Sequence, residues 1–207
     1  MQTDLFGNTK LTNREITLEK AKEVLGLEIH PDFIDRELEI KLLKLIDNSK
    51  WLDDLSRRVQ HYGFKYDYKT RKIDSSFFIG QLPQWLKEIA LEIYNKRYFY
   101  FFPDQAIINE YECGQGIAPH IDCEPCFGDT IVSLSLGSSC VMNFEKEPHS
   151  KEKIELFLEP RTLLIMKKES RYNWYHGIPP RKKDWFNGEN IKRARRVSIT
   201  FRKVIIE

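Results

Sequence analysis

Residues 196–202 read Arg-Val-Ser-Ile-Thr-Phe-Arg, a strict alternation of polar and apolar side chains near the end of the chain. Successive side chains of a strand point to opposite faces, so the three apolar residues line one face and the polar residues line the other. A polar face on a late strand usually meets solvent, and the alternative is a polar interior around a bound anion. Arg196 and Arg202 lie about 20 Å apart along such a strand. With both side chains folded inward, the gap between their guanidinium groups fits a five-carbon dicarboxylate.

Short strand-like runs precede this stretch from residue 105 onward, and Gly and Pro residues separate them. The runs are Ala106–Tyr111, Thr130–Leu136, Cys140–Phe144, Ile154–Leu158, Thr162–Met166 and finally Arg196–Ile206. Many short strands with turn signals predict a sandwich or a barrel.

Two helices are predicted before the strands. Asp35 can cap a helix whose apolar residues Leu38, Leu42, Leu45 and Ile46 share one face. Pro83 suits the first position of a second helix. The predicted fold class is therefore α+β, with N-terminal helices packed against a β core.

The length predicts one domain with a terminal extension, because domains typically hold about 100–200 residues. We expect residues 1–25 to form a loosely attached arm. Residues 26–207 then form the domain, with a helical and loop-rich part at 26–104 and a β part at 105–207.

The composition excludes several classes of protein. The 207 residues are 41% hydrophobic and 13% aromatic, which argues against a disordered chain. No apolar run approaches the roughly 18 residues of a membrane span, and residues 1–20 do not read as a signal peptide. We therefore expect a soluble, cytoplasmic monomer that does not contact a membrane and whose cysteines are reduced thiols.

Cys123 and Cys126 form a C-x-x-C pair, which is typical of a redox centre or of half a zinc site. No second C-x-x-C and no H-x3-H follows, which argues against zinc. We expect the position of this pair next to His120 and Asp122 to be incidental.

The net charge of +2 conceals an uneven distribution of charge. Residues 151–207 hold 15 Lys and Arg against 7 Asp and Glu, whereas residues 1–150 hold 18 against 24. A basic C-terminal region is a hint of a polyanionic partner, and an unevenly charged, solvated surface is the alternative. The runs Arg181–Lys183 and Lys192–Arg195 are candidates for phosphate contacts.

His120 and Asp122 are separated by one residue, so on an extended segment both side chains can reach one ion. Two imidazoles and one carboxylate on one face suit Fe(II) and leave open positions for oxygen and a co-substrate. The second histidine has to come from another strand. His176 is the best choice, because it follows Trp174 and Tyr175 and precedes Gly177 at a buried-looking strand end.

These residues resemble the motifs of the AlkB family of Fe(II)- and 2-oxoglutarate-dependent dioxygenases. The similarity covers residues 103–203, in the order and spacing of the family. The elements that carry it are Asn109-x-Tyr111-x-x-Gly114, His120-x-Asp122, Ser133–Gly137, Tyr175–Ile178 and Arg196-x5-Arg202. The segment Arg57–Tyr68 resembles the substrate lid of the family more loosely.

The resemblance implies a double-stranded β-helix, or jelly roll, that binds Fe(II) through His120, Asp122 and His176. It also implies 2-oxoglutarate and O2 as co-substrates. Arg202 and Asn109 would bind the carboxylate near the metal, and Arg196 and Tyr111 the distal one. Some members carry Asn where this chain has Ser198, which puts one distal contact in doubt.

The expected substrate is nucleic acid. We expect oxidative dealkylation of methylated bases in DNA or RNA, as catalysed by the namesake of the family. One alternative is hydroxylation of a modified wobble uridine in tRNA, because residues 111–122 and 169–182 resemble the AlkB homologue with that activity. A protein or small-molecule hydroxylase is a further alternative. Tyr62, Glu124 and Arg171 are the candidates for substrate contacts, because a flipped base needs aromatic and polar neighbours.

Overall fold

The computed structural model describes residues 10–53, 56–67 and 72–206, and all structural statements below refer to these ranges. The helices are α1 Asn13–Ala21, α2 Arg36–Asp47, α3 Gln84–Asn95 and α4 Lys168–Tyr172, with a short 3₁₀ helix at Ser75–Phe77. The strands are β1 Leu27–His30, β2 Val59–Tyr62, β3 Gln105–Tyr111, β4 Ile117–His120, β5 Phe127–Gly137, β6 Cys140–Glu145, β7 Lys153–Leu158, β8 Leu163–Met166, β9 Tyr175–Ile178, β10 Lys183–Phe186, β11 Glu189–Lys192 and β12 Arg196–Val204.

Two antiparallel sheets make the β core. The major sheet has the strand order β1-β8-β5-β12-β3-β2, and the minor sheet has the order β4-β9-β6-β7. Strands β10 and β11 form a separate hairpin. Strands that alternate between two facing sheets in this way are the pattern of a jelly roll, so the predicted fold class is confirmed.

Strand β12 lies at the centre of the major sheet and carries the alternation of residues 196–202. It pairs with β3 and β5, so that Arg196 lies opposite Tyr111 and Ser198 lies opposite Asn109. Its apolar residues and its polar residues are both buried. The polar face therefore looks into the interior of the jelly roll, which was the alternative to a solvated face.

Helices α2 and α3 cover the outer face of the major sheet. Leu42 and Ile46 of α2 pack with α3 against the apolar residues of β5 and β12. Asp35 caps α2 by accepting a hydrogen bond of 2.7 Å from the amide of Leu38. Pro83 is the N-cap of α3 and not its first helical residue, a difference of one position.

The N-terminal part contributes more to the β core than its sequence indicates. Strands β1 and β2 lie within the segment expected to be helix and loop, and they form the two edges of the major sheet. Helix α1 packs against β7, where the amide of Phe157 donates to the Thr17 hydroxyl at 3.0 Å. Residues 10–25 are thus a packed part of the domain and not a loose arm; residues 1–9 lie outside the described residues.

The β10–β11 hairpin is a strand pair that the sequence reading missed. Its turn is Asn187-Gly188 with positive φ angles of 51° and 77°, the conformation that an Asn-Gly hairpin requires. Asp184 fixes the hairpin to the core, because its buried carboxylate accepts from the guanidinium of Arg193 and from the amide of Val141. Arg181 donates to the same carboxylate at 2.7 Å.

The expectation of four reduced thiols is wrong for two of the cysteines. A tight turn brings the Cα atoms of Cys123 and Cys126 to 5.4 Å, within the usual range for a disulfide, and the structure joins them by one. Cys113 and Cys140 are thiols. No helix in the described ranges is long and apolar enough to cross a membrane.

We predict that Asp184→Asn destabilises the protein by about 3–5 kcal/mol, because it leaves the buried Arg193 without its counter-charge. Urea denaturation measures this change. Glu19→Gln is the matched control, since Glu19 pairs with Lys22 on the surface and such a pair contributes about 0–1 kcal/mol. Equal midpoints for the two variants would contradict the anchoring role of Asp184.

Candidate active site

His120, Asp122 and His176 converge at one end of the cavity between the two sheets. Their ligand atoms all lie within 4.8 Å of one another. His120 and His176 are cross-strand neighbours on β4 and β9, and Asp122 follows β4 in an extended turn. Two imidazoles and one carboxylate on one side are the donor set that suits non-haem Fe(II), so the residues fit the metal that the sequence predicted.

A backbone contact fixes the orientation of the His120 ring. Its Nδ1 lies 2.9 Å from the carbonyl oxygen of Ala118. Because a carbonyl only accepts, Nδ1 carries the proton and Nε2 keeps its lone pair for a metal. The ring centroids of His120 and His176 are 4.4 Å apart, so both lone pairs can serve one ion.

The electrostatics of the cluster favour the metal-binding protonation states. Burial raises the pKa of Asp122, but the Arg202 guanidinium at 2.5 Å and the two histidines outweigh it and bring the pKa to about 2. Burial and the neighbouring His120 lower the pKa of His176 to about 3, against the opposing effect of Asp122. At neutral pH the carboxylate is thus ionised and the imidazole of His176 is neutral, as metal ligands must be.

Arg171 has a different role from the substrate contact expected of it. Its side chain is buried and belongs to α4. The guanidinium donates to the backbone carbonyls of Asp122, Cys123, Phe127 and Gly128, at 2.9–3.3 Å. All three of its nitrogens are therefore occupied by the turn that carries Asp122. Arg171 thus shapes the metal-binding turn.

The part of the cavity between Arg202, at the metal cluster, and Arg196 fits an anion with two carboxylates. Arg196 lies over the ring of Tyr111 at 5.4 Å, and Arg202 reaches Asp122 at the metal cluster. Nε and Nη1 of Arg196 and Nε of Arg202 are buried and have no hydrogen-bond partner among the described residues. Since buried donors are normally satisfied, these orphaned atoms indicate that 2-oxoglutarate fits between the two arginines.

Tyr111, Asn109 and Ser198 line the same cavity. Burial raises the pKa of the Tyr111 phenol, and the charges of Arg57 and Arg196 oppose this without reversing it. The phenol therefore keeps its proton and can donate to a carboxylate. The Ser198 hydroxyl lies 3.2 Å from that of Ser133, so part of its hydrogen-bonding capacity is used inside the sheet.

Arg57 is a cavity residue that the sequence reading missed. Its Nε donates to Oδ1 of Asn109 at 2.9 Å, and its guanidinium lies 5.8 Å from the centre of the Tyr111 ring. Arg57 and Arg196 thus both lie against Tyr111. The only signal in the sequence was the loose similarity of residues 57–68 to a substrate lid.

The aromatic candidate for substrate contact is also corrected. Tyr62 packs with the helical layer and meets Trp85 edge-on, because β2 directs its even-numbered residues to the outer face of the major sheet. Tyr66 lines the cavity instead, and Tyr68 lies outside the described residues. Glu124 is exposed and lines the cavity of about 780 Å³.

The basic runs of the C-terminal region are largely neutralised within the protein. Arg181 and Arg193 pair with Asp184, and Arg195 pairs with Glu110 and Asp47. The exposed lysines of these runs are Lys182, Lys183 and Lys192. Among the described residues, the cations of these runs that lie outside any ion pair are therefore lysines.

Comparison with known proteins decides the family. The sequence model of the 2OG-Fe(II) oxygenase superfamily matches residues 41–202. The chain is a 2OG-Fe(II) oxygenase. Its three metal ligands and its two arginines lie inside the matched range. The family implies Fe(II) as the metal cofactor and 2-oxoglutarate and O2 as co-substrates.

The proteins to which this oxygenase is similar include AlkB homologues. It is 37% identical to uncharacterized protein L905 of Acanthamoeba polyphaga mimivirus, over 94% of this chain and 92% of that protein. It is 38% identical to tRNA (carboxymethyluridine(34)-5-O)-methyltransferase alkbh8 of Xenopus tropicalis, over 89% of this chain but only 33% of that protein. The solved structure of OsALKBH1 superposes with a TM-score of 0.68 at 16% identity, covering 86% of this chain and 96% of that one, which supports the fold.

We predict that Arg171→Lys weakens Fe(II) binding about 10- to 100-fold, the usual effect of losing a group that orients a metal ligand. A lysine keeps the charge but cannot donate to four carbonyls at once. Anaerobic titration with Fe(II) and 2-oxoglutarate measures this through the charge-transfer absorption of the complex. His176→Ala, which removes a ligand, is expected to abolish the band, and an unchanged affinity in Arg171→Lys would refute the orienting role.

Proposed function

We propose that this oxygenase removes alkyl groups from methylated bases of DNA or RNA by oxidising them. One observation supports this proposal most directly. A single open cavity contains the metal cluster, the two arginines with unpaired donors and the exposed carboxylate of Glu124. The part of this cavity between Arg196 and Arg202 suits the co-substrate, and the part beside Glu124 is left for the base.

Fe(II) with 2-oxoglutarate and O2 supplies the chemistry, in which the co-substrate is decarboxylated to succinate and a C–H bond of the substrate is hydroxylated. The residues of this chain position the reactants. Arg196 and Tyr111 bind the distal carboxylate of 2-oxoglutarate, while Asn109 and Arg202 bind its other end. Asp122 remains ionised because Arg202 lies beside it.

Glu124 supports a base that carries an exocyclic amine. Its carboxylate is exposed at the cavity, two residues after the metal ligand Asp122. A carboxylate accepts hydrogen bonds from an amine such as those of adenine and cytosine. A hydroxylated N-methyl group then breaks down to formaldehyde and the free base, which restores the N–H bond.

A second candidate is hydroxylation of a substituent on the wobble uridine of tRNA, where the alcohol is the final product. The similarity to the Xenopus tropicalis relative favours it, because the name of that protein refers to carboxymethyluridine at position 34 of tRNA. The chain spans only a third of that relative. Uridine lacks the exocyclic amine that Glu124 suits, and a carboxymethyl group would be repelled by its charge.

Product analysis separates the two candidates. We expect the protein to release formaldehyde from oligonucleotides that contain N-methylated adenine or cytosine. Mass spectrometry of nucleosides from treated tRNA tests the alternative, because hydroxylation adds one oxygen atom to the modified uridine. Hydroxylated uridine without formaldehyde release would replace the first candidate by the second.

We predict that Glu124→Ala lowers kcat/KM for an N-methylated base at least about 10-fold, because a hydrogen bond to a charged group contributes about 1.5–3 kcal/mol. Glu124→Gln, which keeps an acceptor oxygen, is expected to lose less. Binding of Fe(II) and 2-oxoglutarate, followed by the charge-transfer band, should not change in either variant. If Glu124→Ala retains full activity on the methylated base, Glu124 does not contact it.

A further inference from the structure

The outward face of the β10–β11 hairpin has an unusual composition. Lys183 pairs directly with Lys192, and Trp185 pairs directly with Asn190. Directly opposite residues share a face of the sheet, so these four side chains lie together. All four residues are exposed, and Trp185 is 61% exposed.

The chemistry of this face matches a single strand of nucleic acid. A base can stack on an exposed indole whatever its identity, and lysine ammonium groups attract the neighbouring phosphates. Asn190 adds donors and an acceptor beside the indole. The acidic residues of the hairpin do not oppose this, because Asp184 is buried on the inner face and Glu189 pairs with Phe186 on that same inner face.

The hairpin is also rigid enough to present this face. An isolated two-stranded hairpin is marginal in water, but here its inner face is anchored. Phe186 stacks on Phe157 with ring centroids 5.7 Å apart, and Asp184 holds Arg193 in a buried ion pair. Because the hairpin is held in place before binding, no free energy is spent on ordering it when a base stacks on Trp185.

The position of the hairpin connects it with the cavity. The four residues 179–182 join β9, which carries His176, to β10, so the facing ends of these two strands lie at most about 18 Å apart. Lys182 packs over the turn at Gly114, where an added Cβ would lie 3.5 Å from its Cγ. Ile117, three residues after Gly114, lines the cavity. The hairpin therefore lies beside a segment that leads into the cavity wall, with its inner face packed against Val141 and Phe157 on the outer side of the minor sheet.

We propose that this outward face, formed by Lys183, Trp185, Asn190 and Lys192, binds the single strand that flanks the target base. The inference rests on the proposed function, since it assigns a docking surface to the nucleic acid whose base enters the cavity. Lysines supply the charge here because the arginines of the same runs are held in ion pairs.

Fluorescence anisotropy with labelled RNA and DNA strands of about twenty nucleotides tests the surface. We expect Trp185→Ala to weaken binding about 5- to 100-fold, as for loss of one stacked base, and Trp185→Phe to retain most of the affinity. Lys183→Gln with Lys192→Gln should reduce the salt slope of log K by about 1.4, from two lost phosphate contacts. The RNA and DNA arms show which polymer is preferred.

Two control variants match these changes elsewhere on the surface. Tyr100→Ala removes an aromatic ring that is 79% exposed on the segment between α3 and β3. Lys41→Gln with Lys44→Gln removes two exposed lysines from α2, on the far side of the major sheet. Neither change should alter affinity, and a loss confined to Tyr100→Ala would move the docking surface away from the hairpin.

Steady-state kinetics with a short and a long substrate test the docking surface and the proposed function independently. A methylated trinucleotide tests the cavity alone, so Trp185→Ala should leave its kcat and KM unchanged while raising KM for the longer strand. If both substrates react normally in Trp185→Ala, the hairpin surface is refuted and the proposed function stands. If the native protein binds neither polymer and dealkylates neither substrate, both proposals are refuted.

Discussion

The buried ion pair between Arg202 and Asp122 is the contact on which the active site depends. It joins the central strand of the major sheet to the turn that follows β4 in the minor sheet, and both side chains are almost fully buried. Two charges are stable in such a place only when each neutralises the other. The pair therefore links the two sheets at the metal end of the cavity and keeps Asp122 ionised for the metal.

The metal-binding turn after β4 is held in place by contacts other than strand pairing. Asp122 lies outside a regular strand, and its backbone carbonyl is bonded to Arg171. Because the same guanidinium holds Cys123, Phe127 and Gly128, one buried charge replaces the hydrogen bonds that a sheet would supply. The Cys123–Cys126 disulfide closes the same turn. The position of this cysteine pair is thus part of how the turn is built.

Local patterns predicted the β core and both helices, since each depends on alternation or capping within a few residues, whereas the jelly roll itself was implied by the resemblance to the AlkB family. The errors concern contacts between distant segments. Tyr62 was assigned to the cavity because its strand register was unknown, and a shift of one residue exchanges the faces of a strand. Arg171 was expected to contact the substrate, because nothing in its sequence neighbourhood shows that a turn some forty residues earlier needs its donors. The β10–β11 hairpin did have a local signal, the Asn187-Gly188 dipeptide between alternating residues.

The excess of basic residues near the C-terminal end of the sequence consists of two groups, arginines held in ion pairs and exposed lysines. Arginines such as Arg193, Arg195 and Arg202 are paired with carboxylates from other elements, because a planar guanidinium can satisfy two oxygens at once. Within residues 181–195, the exposed charge is carried by Lys182, Lys183 and Lys192. The number of basic residues in this part of the sequence therefore overestimates the positive potential at the protein surface, which is what a polyanion encounters. On the proposed docking surface, the attraction for nucleic acid comes from a few lysines beside an exposed aromatic ring, and such a contact should be weak and sensitive to salt.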